Sequence, residues 1–167
     1  MGHDVCALVR RDHDDIDRAF SAMIDPATPP KELTNLLDIL RLALAVHSAA
    51  EAKVLDLLLA RAEGPRSLPV VASQTRLEHV AQRAAADALI RLRPASIAWY
   101  EHTIELRTLV LEHAIRSDQL RWTLFEHLSP ALQQTVRREY ATERMRVLAS
   151  TSPLVVAHQR DQALLVH

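Results

Sequence analysis

Glycine is nearly absent, with 2 among 167 residues, Gly2 and Gly64. Hairpin turns and phosphate-cradling loops need glycine where φ is positive or where backbone must approach a ligand, and these two positions supply neither. A single cysteine, Cys6, excludes an intramolecular disulfide and a cysteine-based zinc or iron–sulfur site. Aromatic residues make up only 4 % of the chain. Charge of one sign is also missing: the formal net charge is −1, and the arginines are scattered. No global field therefore points to nucleic acid or an anionic membrane. The opening "MGHDVCALVRRDHDD" has no apolar run of signal-peptide type, and no stretch reaches membrane-spanning length. The expectation is a cytoplasmic protein without nucleic-acid or membrane partners.

Alanine, leucine and arginine are abundant, and all three favour helix. Breakers cluster at "DPATPPKE", "EGPRSLP", "RPAS" and "LSPA". The intervening segments have helical periodicity and predict helices over 4–24, 30–62, 67–93 and 95–128, with a shorter one over 129–148. Ser129-Pro130 makes a good cap and first-turn pair for that last helix. Long helices with short connections predict an all-α fold, an up-down-up-down antiparallel four-helix bundle with a short fifth helix. It occupies residues 1–150, with 151–167 as a C-terminal tail. The tail can cover one end of the bundle, pair with a second subunit in a homodimer, or stay disordered.

Each of the four long segments has a readable seam. The second runs Leu33, Leu37, Leu40, Leu44, His47, Glu51, Val54, Leu58, in alternating steps of four and three. The first runs Val5, Val9, His13, Ile16, Phe20, Met23, and the third Leu68, Ala72, Thr75, His79, Gln82, Ala86, Leu89. The fourth runs Leu106, Val110, His113, Ser117, Leu120, Leu124. Every seam carries one histidine near its middle, and helix midpoints of an antiparallel bundle lie at a common depth. His13, His47, His79 and His113 are therefore expected in one layer.

A lone buried histidine is ordinarily a hydrogen-bonded core residue. Four at one level carry a desolvation cost unless something accepts their lone pairs, and a metal ion does so. Glu51 follows His47 by one turn on the same face. Asp118 lies on a second apolar stripe of the fourth helix, with Leu111, Ile115, Trp122 and Phe125. Two acids beside four imidazoles suit a pair of cations, and the mixed nitrogen and oxygen donors suit iron or manganese better than calcium or a structural zinc.

The ordered set His13, "HSAAE" (His47, Glu51), "EH" (Glu78, His79) and "HAIRSD" (His113, Asp118), with the opening "LVRRDHDDIDRAF", resembles the hemerythrin-like, or HHE cation-binding, domain over roughly residues 5–128. The resemblance implies a non-haem centre of two iron ions (Fe2+/Fe3+) with an oxo or hydroxo bridge. It makes Glu51 and Asp118 bridging carboxylates and the four histidines terminal ligands. Manganese and zinc suit the same donors. His113 and Asp118 are five residues apart, about 140° around a helix, so they share a site only if it lies between two stripes. The family shows this spacing.

One departure bears on function. Oxygen-carrying hemerythrins have two histidines a turn apart on the third helix, and here Thr75 precedes His79 by one turn. Four histidines and two carboxylates remain, with Glu78 either a further oxygen ligand or a solvated charge. An open position favours reactivity over oxygen storage. The expected function is to bind, sense or react with a small ligand (dioxygen, nitric oxide or peroxide) in oxidative or nitrosative stress or iron handling. Enzymatic turnover and stoichiometric sensing both fit. The alternative is a metal-poor bundle acting as a regulatory or interaction module. Asp14, Asp15 and Asp17 read as a solvated face, with Asp17 the nearest candidate partner for His13. Ser117 reads as a small residue leaving room beside His113, and Arg83 as either an ion-pair partner near the site or an outward-pointing chain.

Overall fold

The computed structural model describes residues 5–62, 65–125 and 128–151, and for 120–125 the backbone only. Among these residues the chain is all-helical, with no strand. The helices are α1 (Val5–Met23), α2 (Pro30–Ala60), α3 (Leu68–Leu89), α4 (Ile97–Phe125) and α5 (Pro130–Thr151). Their boundaries have local causes. Proline at the first helical turn lacks only an N–H that would be unpaired there, and Pro30 opens α2 in that way. Ala62, just beyond α2, has φ 51°, a left-handed position that terminates a helix. The Ser96 hydroxyl accepts from the Trp99 N–H at 3.2 Å and that of Ser129 from the Leu132 N–H at 3.3 Å, capping α4 and α5.

The first four helices form a ring of neighbours: α1 packs on α2, α2 on α3, α3 on α4, and α4 on α1. Helix α5 lies outside this ring, extensively against α2 and more lightly against α1. It spans 22 residues, as many as α3, so it is a full element and not the short appendage its sequence suggests. The seams face inward as read: every described member of all four is buried. Two apolar clusters result. One joins Val5 and Val9 to Val54 and Leu58, Leu68 and Ala72, and to Leu132, Val136 and Tyr140 of α5. The other joins Ile16 and Phe20 to Leu33 and Leu40, Ala86 and Leu89, and Leu106 and Val110. The histidine layer lies between these clusters in all four sequences. No helix among the described residues is long and apolar enough to cross a membrane.

Candidate metal centre

Four helices place their histidines together because each imidazole holds an inward position of a continuous seam. His47 Nε2 lies 3.3 Å from His13 Nε2 and 3.2 Å from His113 Nε2, and His79 Nε2 lies 3.3 Å from His113 Nε2. Glu51 enters the same space: its Oε2 is 3.1 Å from His79 Nε2, 3.2 Å from His113 Nε2 and 3.5 Å from His47 Nε2. His47, Glu51, His79 and His113 are all buried, and one donor atom from each lies within 4.8 Å of the others. Ligands about 2.0–2.2 Å from a shared ion stand about 3.0–3.5 Å apart, the range of the three Glu51 contacts, so this group could hold a metal ion. His13 joins the group through His47.

The electrostatics of the cluster centre on Glu51. Burial by itself pushes its carboxyl up, but hydrogen bonding to His113, His47 and His79 outweighs burial and holds it well below the usual carboxylate range. A buried anion among imidazoles is thus the stable form. Burial also lowers His79, and its contact with Glu51 recovers part of this. His113 is raised despite its burial, because it faces both Glu51 and Glu78. The Ser117 hydroxyl donates to the other Glu51 oxygen, Oε1, so Ser117 is a direct partner of the carboxylate and more than a spacer.

The remaining sequence candidates divide. Glu78 Oε2 lies 2.9 Å from His113 Nδ1, on the edge of the ring away from the cluster, and Glu78 Oε1 accepts from Arg116 Nε at 2.9 Å and Gln74 Nε2 at 3.0 Å. A carboxylate on Nδ1 fixes the proton there and leaves Nε2 free to ligate; Glu78 therefore orients His113 from behind. Asp118 is half-buried and does not join the clustered donors. Its neighbours on that stripe, Leu111 and Ile115, are 42 % and 59 % exposed, because the His113–Ser117 face of α4 is the one turned to the ring. Asp17 pairs with Arg107, at 2.9 Å to Nε and 2.8 Å to Nη2, and not with His13. Arg83 is exposed. The Trp122 and Phe125 side chains, and His3, His127, His158 and His167, lie outside the described residues.

Sequence reasoning missed the layer behind His47. Asp12 is buried, its Oδ2 accepts from the Tyr140 hydroxyl at 2.5 Å, and its Oδ1 pairs with Arg144 Nη2 at 2.6 Å. The Tyr140 oxygen is 3.4 Å from His47 Nδ1. Two signals were available. Asp12 is three residues after Val9 and four before Ile16, a seam step, and Leu132, Val136 and Tyr140 recur every four residues along α5. A cleft of about 210 Å³ between α3 and α4, lined by Val70, Val71, Thr75, Glu78, His113 and Ser117 among others, reaches the other side of the cluster. No protein-family model, curated protein or solved structure matches this chain.

Proposed function

We propose that this chain is a hemerythrin-like, up-down-up-down antiparallel bundle that holds non-haem iron and binds, senses or reacts with a small ligand. The observation that carries the reading is the Glu51 Oε2 atom, buried and within 3.1 to 3.5 Å of three imidazole nitrogens from three helices. Buried nitrogen and oxygen donors that converge on one point from three helices are the arrangement a metal ion requires. The antiparallel arrangement is supported by the shared clusters: the start of α1 meets the end of α2 and the start of α3, and the end of α1 meets the start of α2, the end of α3 and the start of α4.

His47, Glu51, His79 and His113 would hold one ion as they stand, with His13 beside them. Two ions are what the resemblance adds, with Glu51 as one bridge; Asp118, its second, is half-buried and outside the clustered donors. Ring pairing supports that form: His13 and His47 are 4.6 Å apart between centroids, His79 and His113 4.7 Å, and the cross pairs 5.5–5.7 Å. Ferrous iron supplies an open position and one-electron chemistry for dioxygen, nitric oxide or peroxide. The protein's own part is to orient the imidazoles, keep Glu51 ionised and admit the ligand. Thr75, in place of a second α3 histidine, is buried at the floor of the α3–α4 cleft, so a neutral small molecule can approach His113 there.

The test is metal content after anaerobic loading with ferrous iron, followed by the absorption spectrum in air. Two irons per chain with near-ultraviolet bands of a bridged ferric pair support the full reading. One iron restricts the centre to the α2–α3–α4 donors. A folded helical chain that takes up no metal overturns it.

A further inference from the structure

Helix α5 reaches the histidine layer from outside the four-helix ring. Its Tyr140 is fully buried, with the ring packed in the cluster that holds Val54, Leu58 and Val136. Its hydroxyl meets Asp12 Oδ2 at 2.5 Å and His47 Nδ1 at 3.4 Å. Arg144, one turn further along α5, takes the other Asp12 oxygen at 2.6 Å.

We propose that Tyr140, with Asp12 and Arg144, is a positioning group for the metal centre, holding His47 with a proton on Nδ1 and its Nε2 turned to the donor cluster. The inference rests on the metal-centre reading and adds to it the element that sets one ligand. A phenol has a single hydrogen. The Asp12 carboxylate takes it, since an ionised carboxylate only accepts, and the ion pair with Arg144 occupies the second carboxylate oxygen. The phenol oxygen can then only accept from the imidazole, which places the proton on Nδ1 and leaves Nε2 to ligate. His113 is set in the same sense by a different group, Glu78 at 2.9 Å. A carboxylate at that distance is a stronger acceptor than a phenol oxygen at 3.4 Å, so His113 is the more electron-rich ligand and His47 the weaker. The two sides of the centre are inequivalent, and docking of α5 is coupled to the weaker one.

The proposal is tested on the full chain with Tyr140→Phe, which keeps the ring and its packing, and Asp12→Asn as an independent second variant. Two quantities are read: the tautomer of His47 from its ring 15N shifts in the metal-free protein, and zinc affinity from competition with a chromophoric chelator. The expected result is a His47 protonated at Nδ1 in the wild type and loss of that preference in both variants. Zinc affinity falls by about 10- to 100-fold in both, the scale for losing an outer partner of a ligand. A purely structural role for the hydroxyl would leave tautomer and affinity unmoved, and that result overturns the proposal. So does a wild-type His47 that carries no proton on Nδ1. Wild-type protein that binds no zinc yet holds His47 as the Nδ1–H form sinks the metal centre and leaves the tautomer assignment standing, so the two failures are distinguishable.

Discussion

Ser117 of α4 donates its hydroxyl hydrogen to the Oε1 atom of Glu51 on α2, while the Oε2 atom of the same carboxylate faces the imidazoles of His47, His79 and His113. One oxygen is held by the protein and the other is presented to the donor cluster. The carboxylate is thereby fixed in a single orientation. Three consequences can be measured.

Replacing Glu51 with alanine removes the anion from a buried set of imidazoles. Breaking a buried charged pair costs about 3–5 kcal/mol, and here the acid contacts three partners. Glu51→Ala is expected to destabilise the metal-free chain by at least the lower end of that range and to abolish zinc uptake. Urea unfolding followed by circular dichroism measures the first, and chelator competition the second. An unchanged midpoint would mean that the imidazoles are satisfied without Glu51.

Ser117→Ala removes a donor from one carboxylate oxygen and keeps the rest of α4. A lost hydrogen bond to a buried charged group costs about 1.5–3 kcal/mol, so a decrease in unfolding free energy of that order is expected. The side chain also lines the α3–α4 cleft, and the variant widens it. Stopped-flow mixing of the ferrous protein with nitric oxide should show association at least as fast as in the wild type. Slower association would place the route elsewhere.

Protonation should couple to stability and to metal uptake with opposite signs at different groups. Glu51 is held well below 4.5, so its contribution is present above that value and is lost as pH falls toward its folded-state value. His113 is raised above 6.5, so its contribution is complete below 6.5 and is lost as pH climbs through the raised value. His79, lowered below 6.5, contributes above 6.5 and loses that contribution as pH drops. The two imidazoles offset each other in the metal-free chain. Metal binding removes the offset, because every ligating nitrogen must be deprotonated. Zinc should therefore raise the melting temperature more at about pH 8 than at about pH 6, with proton release seen in weakly buffered titrations. Equal shifts at both values would exclude His113 as a ligand.

A fourth expectation separates the metal centre from a metal-poor interaction module. His47 is 1 % exposed, so His47→Ala leaves a cavity and costs stability whichever reading holds. Only in a metal protein does the loss grow when the wild type is compared in the presence of zinc. Thermal unfolding of both proteins with and without zinc gives the difference, and a zinc-independent gap favours the module.

The helices, their inward faces and the layer of four histidines were legible in the sequence. A buried helix face repeats every three to four residues regardless of what it packs against, and the His47–Glu51 spacing fixed two donors on one face. Helix ends were legible where proline and serine determine them locally, as at Pro30 and Ser129. What lay beyond reach were relations between elements far apart in the chain. Asp118 looked inward because its stripe is apolar, yet one face of α4 met the ring and the other, with Leu111 and Ile115, did not. Asp12 and Asp17 are similar residues on one helix, and only the packing of α5 and α4 decides that one meets Tyr140 and Arg144 and the other Arg107. Glu78 could be read as a ligand or a surface charge; the rotation of α3 against α4 put it on the far nitrogen of His113. The sequence by itself determined the seam that each of the first four helices buries, since hydrophobic periodicity is a local property. The tertiary structure alone decided which buried polar atoms meet, because a hydrogen bond depends on about an ångström of position that helix rotation and packing set.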